Sequence, residues 1–273
     1  MPAIPPVPTT RLGSAIVSRL IVGGNCFSGF SHASAAMDKA MRDYYTVAKI
    51  KETLAQCERA GVNTFFGRAD NHVLRIMNEY WNEGGKIQFF AQTAPERPDT
   101  SGVIAQVAEY GAAGCYLHGG ETDDLHDANN ADRLRKLIDE IKARGMVAGV
   151  AGHNPRTHLW AQDQNVPIDF HMLCFYNISG RRGKQTASDE FEKFDDRDRQ
   201  AALAVRKQLT RPCVAYKVLA AGRNDPEAGF RYAFENLRPA DAINVGMYTA
   251  EKPAMIQENA RLVAKILADL GQA

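Results

Sequence analysis

Short apolar runs alternate along this chain with longer amphipathic stretches, and the alternation repeats eight times. The apolar runs predict strands at Arg19–Asn25, Val62–Phe66, Lys86–Gln92, Gly114–His118, Met146–Val150, Ile168–Phe175, Cys213–Leu219 and Ala242–Met247. Stretches with helical spacing follow them, most clearly at Thr46–Ala60 and Asp132–Ala143. Eight strand–helix units in about 250 residues are typical of an α/β fold of the (β/α)8 TIM barrel type. A doubly wound sheet would need a glycine-rich phosphate turn, and Gly23-Gly24-Asn25 lacks its spacing.

The charge and the apolar runs of the chain argue against several classes of function. The 273 residues carry 33 Lys and Arg against 32 Asp and Glu, a net charge of +1, so there is no basic surplus for binding nucleic acid. No apolar run approaches the roughly 20 residues of a membrane helix. The start, MPAIPPVPTTR, has no apolar signal core, so we expect a cytoplasmic protein. We expect one barrel domain over residues 1–273, with a long polar loop at about 179–199.

The cysteines predict no disulfide framework and no zinc ribbon. They are odd in number, widely spaced and lack a Cys-x-x-Cys pair: Cys26, Cys57, Cys115, Cys174 and Cys213. Most of them lie in apolar runs or helix faces, where a reduced cysteine acts as a small hydrophobe. We therefore expect structural, reduced thiols.

Histidines gather where the predicted strands end, which is the end of a TIM barrel that carries its chemistry. His72, His118, His153 and His171 fall at or near consecutive strand ends. Imidazoles beside a carboxylate can bind a divalent metal, so His118, Glu121 and His153 are candidate metal ligands. The alternative is that they are ordinary polar residues, because no HxH or HExxH spacing directs two imidazoles to one ion.

Lys217 lies in the otherwise apolar segment CVAYKVLAAGR. A buried ammonium needs a partner, so we expect this side chain to face the barrel interior beside a carboxylate or a substrate. A desolvated lysine can act as a base or a Schiff-base nucleophile. The alternative is a buried ion pair with an acid such as Asp169.

Several segments resemble the aldo-keto reductases in the same order along the chain. TTRLGSAIVSRLIVGGNCFSG is similar to the opening of that family, in which a β-hairpin precedes the first barrel strand. The resemblance continues through AGVNTFF, CYLHGGETD, IKARGMVAGVAGHN, IDFHMLCFYN and VGMYTAEKPAMIQEN. It implies an aldo-keto-reductase type of barrel and, by the family's pattern, carbonyl reduction with NADPH by an Asp, a Tyr, a Lys and a His.

The catalytic positions of the family depart from its pattern here. They align with Phe66 or Gly67, Asn71 or His72, Thr93, and His118. His118 is the one match, so the usual acid is missing unless His72 replaces it. Our catalytic candidates are therefore His118, Lys217, His72 and Asp70.

The positions that bind the cofactor in this family also depart from its pattern here. The resemblance implies that Gly246, Glu258 and Asn259 contact NAD(P)(H). Met255 aligns with the arginine that binds the 2′-phosphate, and Ala151-Gly152 with the Ser-Asn pair that holds the nicotinamide amide.

Three hypotheses remain open for the function of this chain, which we expect to bind a small molecule. The favoured one is acid–base or metal-assisted, non-redox chemistry (lyase, isomerase or hydrolase) on a small polar, carbohydrate-like substrate, because fold does not fix function and the tetrad is missing. The second is an NAD(P)(H)-dependent carbonyl oxidoreductase with a relocated acid. The third is a catalytically inactive binding barrel.

Overall fold

Eight parallel strands close into a barrel in the computed structural model, which describes residues 6–177 and 194–273. A hairpin of β1 (Thr9–Leu12) and β2 (Ala15–Ser18) comes first. The barrel strands are β3 (Leu20–Gly23), β4 (Thr64–Arg68), β5 (Gln88–Gln92), β6 (Gly114–Leu117), β7 (Val147–Gly152), β8 (Phe170–Cys174), β9 (Cys213–Tyr216) and β10 (Ala242–Gly246). The ladder order β10-β3-β4-β5-β6-β7-β8-β9 confirms the predicted (β/α)8 TIM barrel.

Helices surround the barrel, and each described α-helix except the last begins at a side-chain cap. They are α1 (Ala35–Tyr44), α2 (Val47–Arg59), α3 (Asn71–Asn82), α4 (Thr100–Glu109), α5 (Gly119–Asp127), α6 (Ala131–Ala143), α7 (Pro155–Asp163), α8 (Asp196–Arg206), α9 (Pro226–Asn236) and α10 (Met255–Asp269). Asp70, Asn130 and Asp225 each cap a helix, their side-chain oxygens accepting a backbone N–H two or three residues into it. No helix within the described ranges combines the length and apolar character needed to cross a membrane.

Side chains alternate between the barrel interior and the helices, as parallel strands buried on both faces require. The interior holds an aromatic group, Phe66, Phe90, Tyr116 and Phe170, whose ring centroids lie 4.8–6.1 Å apart. Leu12 and Val17 of the hairpin pack into the same cluster and are fully buried. The hairpin therefore closes the end of the barrel opposite the strand C-termini.

The ladder registers arrange interior side chains in layers of four from alternate strands. One layer is Phe66, Tyr116, Met172 and Asn244. The next layer towards the strand C-termini is Gly23, Gln92, Ala151 and Tyr216, and the one above it is Arg68, His118, Cys174 and Gly246. The mouth therefore begins above Asn244, where the apolar filling gives way to polar side chains.

A buried ion pair connects the N-terminal ends of the last barrel strands. Arg206 donates two hydrogen bonds to Asp241, at 2.6 and 2.7 Å, and both side chains are buried. Asp241 also accepts the backbone N–H of Cys213 and of Arg238. Burial raises the pKa of Asp241, and the Arg206 guanidinium opposes this shift.

Three sequence expectations need correction. The strand predicted over Cys213–Leu219 ends at Tyr216, because Lys217 adopts a left-handed conformation with φ 61°. Helix α1 lies in the connection between β3 and α2, where no helix was expected. The polar loop predicted at 179–199 mostly lies outside the described residues, and its end from Asp196 belongs to α8.

The expectation for the cysteines is confirmed. All five are buried free thiols. Burial raises the pKa of Cys26 and Cys57 to about 12, so both thiols stay protonated at neutral pH.

Candidate active site at the mouth of the barrel

His118 follows β6 and caps α5, and its ring is half-buried at the mouth. Its Nδ1 accepts the backbone N–H of Gly120 at 3.0 Å. A backbone N–H can only donate, so Nδ1 carries the lone pair and the neutral ring carries its proton on Nε2. Burial, helped by His153 and Arg68, lowers the pKa of His118 to about 4. His118 is therefore a neutral hydrogen-bond donor at physiological pH.

Thr93 holds the backbone at the start of α5. Its hydroxyl accepts the N–H of His118 at 2.9 Å and donates to Glu121 Oε2 at 3.1 Å. The other oxygen of Glu121 accepts from Thr100 at 2.7 Å. Thr93 thus positions the backbone of His118.

His153 follows β7 and pairs with a carboxylate from α5. Asp123 Oδ2 lies 3.0 Å from His153 Nδ1 and also accepts the His153 backbone N–H at 3.0 Å. Thr157 donates to the other oxygen at 2.8 Å. Burial raises the pKa of Asp123, but these hydrogen bonds outweigh it and leave the pKa below its ordinary value. An ionised carboxylate only accepts, so Nδ1 of His153 carries a proton and, in the neutral form of the ring, Nε2 carries the lone pair.

The two imidazoles face one another with opposite tautomers. Their ring centroids lie 6.1 Å apart with the planes at 63°. Gly119 makes the approach of His153 possible, because a β-carbon there would lie 2.8 Å from its Cε1. The mouth therefore presents a proton acceptor on His153 beside a proton donor on His118.

The three candidate metal ligands do not converge. Each is already engaged: His118 Nδ1 by Gly120, Glu121 by two threonines, and His153 Nδ1 by Asp123. Within residues 6–177 and 194–273, no group of three His, Cys, Asp or Glu side chains is placed to hold a metal ion. The metal site stays a prediction without support from this donor set.

Asp70 and His72 lie away from the two histidines, after β4. Asp70 caps α3 by accepting the N–H of Val73 at 2.9 Å and lies 3.4 Å from Arg68 Nε. His72 is exposed and makes no hydrogen bond or ion pair with the described part of the chain. The geometry gives Asp70 a structural role and shows no contact through which His72 would act as an acid.

Lys217 reaches the mouth, but without the expected partner. Asp169 pairs with Lys142 at 2.9 Å, so that expectation was wrong. The left-handed turn at Lys217 instead places its Nζ 5.3 Å from the ring centroid of Tyr216. Lys217 forms no ion pair with any residue that the structure describes.

The implied nicotinamide-binding residues fit that role poorly. Asn259 is 6% exposed and lies on the buried face of α10. Glu258 is exposed but pairs with Lys252 at 2.5 Å. Gly246 is exposed at the end of β10, where a β-carbon would lie 3.0 Å from Cys26 Sγ. Nicotinamide binding by these three residues therefore stays a prediction.

Asp123 and Asn244 were not predicted from the sequence as residues of the site. Asp123 lies in the acidic run ETDD, in which the sequence does not single out one carboxylate. Asn244 had a signal, because it is the polar residue of the apolar run AINVG and strand alternation directs it inward.

Comparison of the sequence with protein-family models and with curated proteins finds no match. The fold, by contrast, is similar to solved structures. A Pseudomonas aeruginosa protein assigned to the aldo-keto reductases superposes with a TM-score of 0.64 at 15% identity, over 95% of this chain and 94% of that one. A truncated 3-deoxy-D-arabino-heptulosonate 7-phosphate synthase from Thermotoga maritima gives 0.58 at 12% identity, over 98% and 94%. The N-acetylmannosamine-6-phosphate 2-epimerase from Clostridium perfringens gives 0.54 at 15%, over 92% of each chain.

These similarities confirm the aldo-keto-reductase-like barrel predicted from the sequence segments. At such identities they show the fold, and several unrelated chemistries use it. The activity must therefore be argued from the mouth.

Proposed function

We propose that this chain is a non-redox enzyme that moves a proton at the carbon beside a carbonyl group of a small, hydroxylated, sugar-like substrate. The observation that carries the proposal is the pair of opposed tautomers, with His153 Nε2 as acceptor and His118 Nε2–H as donor. Isomerisation and β-elimination both begin with this proton transfer. Solved structures of the same fold include enzymes named for sugar phosphates, which is compatible with such a substrate.

In the proton transfer, His153, Asp123 and His118 have different roles. His153 Nε2 takes the proton from the carbon, and the electron pair of the C–H bond moves to the carbonyl oxygen and gives an enolate. The ionised Asp123 stabilises the imidazolium that forms and fixes its orientation. His118 donates Nε2–H to the enolate oxygen. For isomerisation, His118 passes its Nε2 proton to the enolate oxygen and takes the proton of the neighbouring hydroxyl, and the His153 imidazolium returns its proton to the former carbonyl carbon. For elimination, the enolate electron pair re-forms the carbonyl and expels a group from the β-carbon, and that group takes the proton of the His153 imidazolium.

The low pKa of His118 suits this role. A protonated His118 would repel the imidazolium formed on His153, whose ring centroid lies 6.1 Å away. A neutral imidazole that donates one hydrogen bond to a carbonyl oxygen is an established device for stabilising an enolate. The pKa of about 4 keeps His118 in this form from weakly acidic to neutral pH.

The test is incorporation of solvent deuterium into short aldoses and ketoses, followed by NMR. We expect wild-type protein to exchange the proton beside the carbonyl, and His153→Gln to lower the rate about 10²- to 10⁴-fold. Asp123→Asn should also lower it strongly. His72→Gln is the matched control and should leave the rate unchanged, because His72 is exposed and unpaired in the described structure. No exchange by the wild type, or unchanged exchange by His153→Gln, would refute the proposal.

A second candidate, a nicotinamide-dependent carbonyl oxidoreductase, is favoured by the fold similarity and by the match at His118. Tyr216 would be its relocated acid, since the Lys217 ammonium lies over its ring and His153 lies 6.5 Å from it, ring to ring. Titration with NADPH and NADH, followed by nicotinamide fluorescence, separates the candidates. Saturable binding together with carbonyl reduction would support the oxidoreductase, and the absence of binding would exclude it.

A further inference from the structure

A well with a polar floor lies below His118 and His153 inside the barrel. The layer under the rim contributes two small residues, Gly23 and Ala151, between Gln92 and Tyr216. Asn244 and Tyr116 belong to the layer beneath and face one another from β10 and β6, strands on opposite sides of the barrel. A filled barrel carries bulky branched side chains at such positions. In this barrel the inward-facing side chains Gln92, Tyr216 and Asn244 are instead partly exposed, so solvent reaches this layer from the mouth.

The side chain of Asn244 is incompletely paired. Its Oδ1 is buried and has no hydrogen-bond partner. The amide lies against Gly23, where a β-carbon would be 3.0 Å from Oδ1 and 3.2 Å from Nδ2. A buried amide oxygen without a partner costs about 1–3 kcal/mol. The Nδ2 end of the amide forms no hydrogen bond with the described residues and is not buried, so it can donate to an acceptor that enters from the mouth.

Two further polar groups of the well lack protein partners. The hydroxyl of Tyr116 and the amide of Gln92 form no hydrogen bond with the described residues. Burial raises the pKa of Tyr116, so its hydroxyl stays protonated and can donate. The Gln92 amide can both donate and accept. Together with Asn244 they provide acceptors and donors on several sides of one space.

We propose that Asn244, Tyr116 and Gln92 form the subsite for the hydroxylated end of the substrate, whose carbonyl end lies between the two histidines. This rests on the proposed function and names its substrate class, a short polyhydroxylated ketone or aldehyde. Hydroxyl groups match the floor because each can accept from Asn244 Nδ2 or Tyr116 and donate to the Gln92 oxygen. No charged side chain faces the well in the Asn244 layer or in the layer above it, so the buried end of the ligand is uncharged.

The first experiment compares two ketones of equal chain length, erythrulose and butanone, by saturation-transfer NMR and titration. We expect erythrulose to bind and butanone to bind at least about tenfold more weakly, because only the hydroxyl groups pair with the floor. Equal binding of the two ketones, or no binding of erythrulose, would overturn the proposal.

Two variants of the well test whether erythrulose binds at this subsite. Asn244→Leu removes the amide and should weaken erythrulose binding about tenfold or more, while its melting temperature stays equal to or above that of the wild type. Gln92→Leu, on another strand, should weaken binding in the same direction. Gln164→Leu is the matched control, an exposed amide at the end of α7, and should change nothing. Undiminished binding in both well variants would overturn the proposal.

The outcomes separate this subsite from the chemistry. Erythrulose binding that depends on Asn244, without deuterium exchange at the carbon beside the carbonyl, would retain the subsite and refute the proton transfer. Exchange that depends on His153 but not on Asn244 or Gln92 would retain the chemistry and refute the subsite.

Discussion

Two fully buried histidines make the stability of this barrel depend on pH. His158 on α7 and His171 on β8 place their Nδ1 atoms 3.1 Å apart, and neither ring is exposed. One Nδ1 carries a proton and donates it to the lone pair of the other. Burial lowers the pKa of His158 to about 4 and that of His171 well below its ordinary 6.5. The charges of Arg206 and Arg211 lower the pKa of His171 further.

The sign and size of the effect follow from these pKa values. Below pH 6.5 the unfolded chain binds protons on both histidines, whereas the folded chain does not until about pH 4. The free energy of unfolding therefore falls as the pH falls through this window. For His158, lowering the pH from 7 to 5 removes about 2 kcal/mol, and His171 adds a loss in the same direction.

Urea unfolding at pH 7 and pH 5, followed by circular dichroism, measures this difference. We expect the double variant His158→Leu/His171→Leu to lose at least about 2 kcal/mol less than wild type between the two pH values. At pH 7 it should be as stable as wild type within about 1 kcal/mol, because both hydrogen-bonding partners are replaced together. His72→Gln is the control and should keep the wild-type pH dependence. An equal pH dependence in wild type and double variant would refute the reasoning.

Two further predictions concern packing. Arg206→Met should lower the free energy of unfolding by about 3–5 kcal/mol in urea unfolding, because Asp241 stays buried without its guanidinium. The control Lys39→Met loses an exposed ion pair and should cost less than about 1 kcal/mol. Equal losses in the two variants would contradict the account. Gly119→Ala should lower deuterium exchange about tenfold or more with little change in melting temperature, because the added methyl displaces His153; unchanged exchange would contradict this role of the glycine.

The fold was predictable because its determinants are local. Each apolar run is long enough for one strand, and helix starts such as Asp225-Pro226 carry their own cap and first-turn residues. Strand ends were less predictable. The β9 strand stops at Tyr216 because the backbone of Lys217 turns left-handed, which a non-glycine residue in an apolar run does not signal.

The site was predictable in part. Strand ends in a barrel meet at one mouth, so His118 and His153 could be placed together from the sequence. The partner of His153 could not, since the rotation of α5 against β7 decides which of Glu121, Asp123 and Asp124 faces it. The metal hypothesis lacked support for the same reason, because α5 directs Glu121 to two threonines.

The central claim is that two imidazoles with opposite tautomers face each other at the mouth. Nitrogen-15 NMR of the histidine side chains at pH 7 tests it without a substrate, with signals assigned through His118→Gln and His153→Gln. The account predicts the proton of His118 on Nε2 and that of His153 on Nδ1, with His118 unprotonated down to about pH 4. The same tautomer on both rings, or protonation of His118 above pH 6, would contradict it.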